Sequence, residues 1–270
     1  MKNYIFLLTV ILSTSFVACK SNSENDKKKE SMEPENKWVD LFNCNNLVGW
    51  IPKFNHHEVG ENYAKTFRVK DSVIQVNYED YTSFDERYGH LFYKEPFSSY
   101  HLKFDYRFTD QWMEDAPDYA YRNSGVMFHS QAPETILKEQ DWPISVEYQM
   151  LTDAGDGKPR PTGNMCSPGT EVFFEGEMDP RHCIESSSDT YPIGEWVQAE
   201  LIVYGDSLII HKVNGEKVLE YTKPQIGGGV VSGYNPEIKE DRKALTEGYI
   251  ALQAEGQGVE FKEIKIRKLN

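Results

Sequence analysis

Apolar and polar residues alternate with period two along most of this chain, and that pattern leaves few folds open. In 100–108, Tyr100, Leu102, Phe104, Tyr106 and Phe108 are separated by His101, Lys103, Asp105 and Arg107. Side chains of an extended strand point alternately to its two faces, so such a segment buries one face and wets the other. The same period runs through 72–78, 90–93, 124–129, 145–151, 196–204, 207–212, 216–221, 248–254 and 259–269. Asn214-Gly215 is the favoured pair for a tight hairpin, and 204–207 reads as a second hairpin. In the last strand Ile264 and Ile266 fall one residue out of phase with Val259 and Phe261, which predicts a bulge. Helical periodicity is missing from every long stretch, and 134–140 is good for one turn. About ten antiparallel strands predict an all-β fold of two packed antiparallel sheets, a sandwich or jelly roll. Two irregular stretches, 110–122 and 152–191, are too long for ordinary turns, and long ordered loops usually carry function.

The N-terminus reads as an export signal. Lys2 precedes an apolar run that is too short to span a bilayer, and Phe16-Val17-Ala18-Cys19 resembles a bacterial lipobox. Residues 1–18 are then a lipoprotein signal peptide and Cys19 the acylated first residue; an ordinary cleaved signal is the alternative. Residues 19–36 hold little that could be buried and read as a disordered tether, leaving 37–270 as a single domain. The expected location is the cell envelope, lipid-anchored, at the outer membrane. A net charge of −14 speaks against nucleic acid as a partner. Four cysteines are present. With Cys19 lipidated, Cys166 and Cys183 are expected to bridge in an oxidising compartment, and Cys44 to stay free and buried.

Four motifs in order carry a resemblance. Trp38–Trp50 (WVDLFNCNNLVGW), Arg122–His129 (RNSGVMFH), Val146–Leu151 (VEYQML) and Gly248–Ile266 (GYIALQAEGQGVEFKEIKI) resemble the 3-keto-disaccharide hydrolase domain family over essentially the whole domain. Cys44 stands where the family usually has Gly, and Glu255 where many members have His. The resemblance implies a concanavalin-like jelly roll acting on 3-keto-glycosides.

On such a fold the face of one sheet opposite the core can form a sugar groove. Glu147 and Gln149 share that face of their strand, opposite Ile144, Val146, Tyr148 and Met150. Period two places Asn123 with His129 on a second strand, and Gln253 with Glu255 on a third. Elimination next to a ketone needs a base, an acid for the leaving oxygen and donors for the enolate. Glu147 is the expected base or acid, with His129 and Glu255 as competing partners. Asn123, Gln149, Gln253 and Arg122 are expected to bind substrate, and Trp112 and Trp142 to stack on a sugar face. Each has a plainer reading: an exposed strand carboxylate for Glu147, a surface or capping residue for His129, a turn residue for Asn123 and Glu255, an ion pair for Arg122. No cofactor is called for. Asp110, Asp115 and Asp118 read first as a solvated acidic loop, with a cage for a divalent cation such as Ca²⁺ as the alternative. The expected partners are a glycan or oxidised sugar and the lipid anchor. A non-catalytic carbohydrate-binding protein on the same fold is the second reading, because a fold does not fix a function.

Overall fold

The computed structural model describes residues 37–269. The signal segment 1–18, the tether 19–36 and the acylation site Cys19 lie outside the described residues. In chain order the strands are β1 (Val39–Asp40), β2 (Trp50–Phe54), β3 (Phe67–Lys70), β4 (Val73–Val76), β5 (Gly89–Tyr93), β6 (Ser99–Trp112), β7 (Asn123–Ser130), β8 (Val146–Leu151), β9 (Asn164–Cys166), β10 (Thr170–Phe174), β11 (Glu177–Met178), β12 (Cys183–Ile184), β13 (Val197–Tyr204), β14 (Leu208–Val213), β15 (Glu216–Ile226), β16 (Tyr249–Ala254) and β17 (Gln257–Lys268).

They form two antiparallel sheets. One has ten strands in the order β11-β10-β15-β14-β13-β6-β17-β4-β3, with β1 also paired to β17; the other has seven, in the order β12-β9-β8-β7-β16-β5-β2. This is the all-β jelly-roll sandwich that the alternation predicts. The inner face of the ten-stranded sheet presents Tyr100, Leu102, Phe104, Tyr106 and Phe108 from β6 and Phe261 and Ile264 from β17. Val126, Phe128, Val146, Tyr148, Met150, Ile250 and Leu252 meet them from the seven-stranded sheet, in one buried cluster. The Asn214-Gly215 turn has positive φ at both residues (48° and 88°), as the tightest hairpins require. The bulge in β17 is present: pairing with β6 slips between Lys262 and Lys265, with Glu263 at φ 51°.

Two expectations change. The segment 110–122 is not all loop, because β6 runs on to Trp112. Cys44, expected to be buried, is half-buried instead. It holds φ 63° in the surface turn after Phe42, where the family's usual Gly would be unstrained. Asp110, Asp115 and Asp118 are not among the metal-spaced groups of the described residues. Asp115 instead accepts a hydrogen bond from the Phe84 amide at 2.8 Å. Among the described residues the one metal-spaced group is Cys166, His182 and Cys183, and its sulfurs are joined to each other at 2.02 Å. No helix of the described residues is long and apolar enough to cross a membrane.

Candidate active site

A pocket of about 420 Å³ opens on the face of the seven-stranded sheet that points away from the core; Asn123, Glu147, Gln149, Gln253 and Glu255 line it. Alternation brings them together. Glu147 and Gln149 are two apart on β8, Asn123 begins β7, and Gln253 lies on β16 with Glu255 just beyond its end. Gly125 makes the arrangement fit. A Cβ on it would lie 2.1 Å from Glu147 Oε1 and 2.7 Å from Cδ, so the carboxyl of Glu147 lies across β7 where a side chain is missing. Glu255 belongs to the turn into β17. That turn depends on Gly256 at φ 102°, whose amide donates to the Tyr78 hydroxyl at 2.7 Å.

The cluster is rich in acceptors and poor in donors. Glu147 Oε1, Asn123 Oδ1 and Gln253 Oε1 are all buried without a hydrogen-bond partner. Asn123 spends its amide N–H on Tyr119 O (3.2 Å), and Gln149 Oε1 accepts from Asn164 Nδ2 (3.0 Å). Burial raises the Glu147 carboxyl well above the usual glutamate range, and the nearby charge of Glu255 adds to the rise. Burial likewise pushes Glu255 up to about 8, with the Trp142 side chain opposing part of the rise. Two buried carboxyls in electrostatic contact cannot both ionise cheaply, so the pair holds a proton near neutral pH. Orphaned acceptors favour the same outcome, since they are satisfied by a proton on an acid or by the hydroxyls of a ligand.

Loops close the pocket. The segment 131–145 folds over the sheet face, where Ile136 joins Phe92, Met127 and Ala251 in a second apolar cluster and Trp142 packs against it. Trp142 lies 4.4 Å from the Tyr88 ring and 6.3 Å from Tyr119 by centroid, and Tyr88 and Tyr119 share a hydrogen bond of 2.6 Å between hydroxyls. Asp141 ties this loop to the next one: its carboxylate accepts from the Ser232 amide (2.8 Å) and hydroxyl (2.7 Å). The far wall is the Cys166–Cys183 disulfide with His182 and Pro168, and Val230 reaches in from the glycine-rich segment 227–229.

Of the residues expected from sequence, Glu147, Glu255, Asn123, Gln149, Gln253 and Trp142 line this pocket. His129 does not. Its backbone turns left-handed at φ 47°, which breaks the alternation, and its Nε2 lies 2.9 Å from Gly205 O in the hairpin between β13 and β14. Arg122 also turns away; its guanidinium donates to Asp153 O and lies over the Tyr121 ring. Trp112 ends β6 opposite Gln257, edge-on to Tyr121, behind the Gly256 turn. Sequence reasoning missed Tyr119, Pro168, His182 and Val230, all in segments with no periodic signal. His90 stands opposite Gln253 and Lys53 on the neighbouring strands without lining the pocket; burial drops the His90 imidazole to about 3 and the Lys53 amine to about 8.

A family model for the 3-keto-alpha-glucoside-1,2-lyase-like domain matches residues 37–267. Among curated proteins nothing matches. Two crystal structures from Parabacteroides distasonis ATCC 8503, each named a "putative glycosyl hydrolase", are similar in fold. One is 20% identical with a TM-score of 0.53, covering 87% of this chain and 100% of that one. The other is 22% identical with a TM-score of 0.52, covering 86% and 94%.

Proposed function

Because the chain belongs to the 3-keto-alpha-glucoside-1,2-lyase-like domain family, we propose that its pocket cleaves glycosides bearing a ketone at C3, by elimination followed by hydration. The observation that carries this reading is the pair Glu147 and Glu255, both buried, both raised, and sharing one pocket. With one proton between them, the pair contains a base and an acid at the same pH.

The ketone acidifies the hydrogen on C2. Glu255, the more readily ionised of the two, takes that proton, and the electron pair left behind forms an enolate with the C3 oxygen. Reforming the ketone drives electrons toward C1, makes the C1=C2 double bond and breaks the bond from C1 to the leaving oxygen. That oxygen takes the proton of Glu147. Water then adds across the alkene: its oxygen bonds C1, Glu147 takes its proton, and Glu255 returns its own to C2. Both acids end as they began. Asn123 Oδ1 and Gln253 Oε1 accept from ring hydroxyls, while Trp142 and Tyr119 cover an apolar face of the ring.

The protein works in the cell envelope, tethered by acyl chains on Cys19; the lipobox-like Phe16–Cys19 pattern supports this, and labelling with a radioactive fatty acid tests it. The binding-only reading is less favoured, because a binder gains nothing from two buried acids that destabilise the fold when ionised. The test incubates purified protein with a glucoside and its 3-keto derivative. Only the ketone should be cleaved, and Glu147→Gln should abolish the reaction. Cleavage of the unoxidised glucoside alone, or of neither compound, defeats the proposal.

A further inference from the structure

A second cavity of about 300 Å³ adjoins the first, and His182 and Val230 line both. Its walls are of a different kind. Asp179 accepts from the Arg181 amide (2.9 Å) and from Nε (2.9 Å) and Nη2 (2.5 Å) of its guanidinium. Those bonds use two of the five guanidinium N–H groups, so donors remain beside the carboxylate. Glu171 is held from below, its oxygens accepting from the Gly228 amide (3.1 Å) and Gln225 Nε2 (3.0 Å). The Gly229 backbone borders the cavity with open space where a side chain would stand.

We propose that this second cavity is the leaving-group subsite and that it takes a neutral sugar unit, with Arg181, Asp179 and Glu171 as its specificity-determining residues. The inference rests on the reading of the first pocket as a site for 3-keto-glycosides. A bond between a ring in the first pocket and a group in the second passes His182 and Val230. Two carboxylates and one guanidinium leave the lining with a net negative charge, which repels uronic, sulfated or phosphorylated leaving groups. Donors beside acceptors match the hydroxyls of a neutral sugar and leave an aryl group facing unpaired polar atoms.

The test uses Gly229→Phe, which fills the cavity from a position free of backbone strain, and Arg181→Ala as a second variant should the first fail to fold. Parent and variants are assayed on the 3-keto derivatives of a panel of glucosyl-glucose disaccharides and of both methyl glucosides. The parent should prefer at least one disaccharide, and in the variants the ratio of kcat/KM for that disaccharide over methyl glucoside should fall at least tenfold. An unchanged ratio overturns the subsite. Calorimetric binding of the unoxidised sugars is measured in parallel. Preference for a disaccharide that is lost in Gly229→Phe supports the subsite even when nothing is turned over, which would refute only the proposed chemistry. Equal affinity for disaccharide and methyl glucoside, or binding of neither, overturns the subsite whatever the activity.

Discussion

Replacing Glu255 with Gln should stabilise the protein, and by an amount that grows with pH. In the folded chain this carboxyl is raised from 4.5 to about 8 by burial, so the native state holds a proton that the unfolded chain has released. A group whose folded pKa is raised contributes stability that is fully present below its unfolded value and lost as pH rises through the folded one. The window therefore runs from about pH 4.5 to about 8. At 1.36 kcal/mol for each tenfold change in proton affinity, the whole effect is on the order of 5 kcal/mol, and the part lost by pH 7 about 3 kcal/mol. Glu147 shares the proton, so the loss belongs to the pair rather than to one residue. A glutamine keeps the shape of the protonated acid and cannot ionise. Urea unfolding of parent and Glu255→Gln at pH 5, 6, 7 and 8 reads the effect directly. The two should nearly coincide at the acid end and separate steadily toward pH 8, with the variant the more stable. A difference that stays flat with pH, or a variant less stable at pH 7, would refute the view that Glu255 is a buried acid held protonated by the fold.

Gly125→Ala should leave the melting temperature within a few degrees of the parent yet cut kcat on a 3-keto-glucoside at least ~100-fold, because its methyl group displaces the Glu147 carboxyl; near-normal turnover would show that the cradle is unimportant. The rate profile of kcat/KM should rise toward about pH 8, as Glu255 gives up its proton while Glu147 keeps its own, and a profile that falls across that range contradicts the shared-proton scheme. Removing the disulfide with the double change Cys166→Ser and Cys183→Ser closes no loop across a separation of 17 residues and should cost about 3 kcal/mol in urea unfolding. His129→Ala should lower stability by about 1 kcal/mol through its lost bond to Gly205 O, with KM unmoved; a raised KM would return His129 to the site.

Period two was readable wherever a strand is regular, and there it assigned faces correctly. Glu147 and Gln149 on β8, and Gln253 on β16, face the pocket because nothing interrupts the alternation of their strands. The same rule failed at His129, two residues beyond Met127, since a single left-handed residue reverses the side-chain direction and no local sequence signal announces it. Trp142 was found through its chemistry, and its packing over the sheet through Ile136 was not. Tyr119, His182 and Val230 stand on connections whose course is set by contacts far away in sequence, such as the bond between Asp141 and Ser232. Periodicity cannot carry that information, whereas the spacing of Cys166 and Cys183 did forecast their bond.

The two-residue strand β12 does more than complete a wall. It pairs with β9 in register, Cys183 opposite Cys166 and Ile184 opposite Met165, and it ends the seven-stranded sheet on that side. The opposite end is β2, which carries Pro52 and so lacks one amide donor along its border. An unguarded border of a sheet is a template on which another chain can add a strand and begin an aggregate. Here one border is too short to serve as a template and is covalently fastened, and the other is interrupted. The sheet that carries the acids is thereby kept from growing sideways, and a chain in which this bond has not formed would leave β9 open to strand addition by its neighbours.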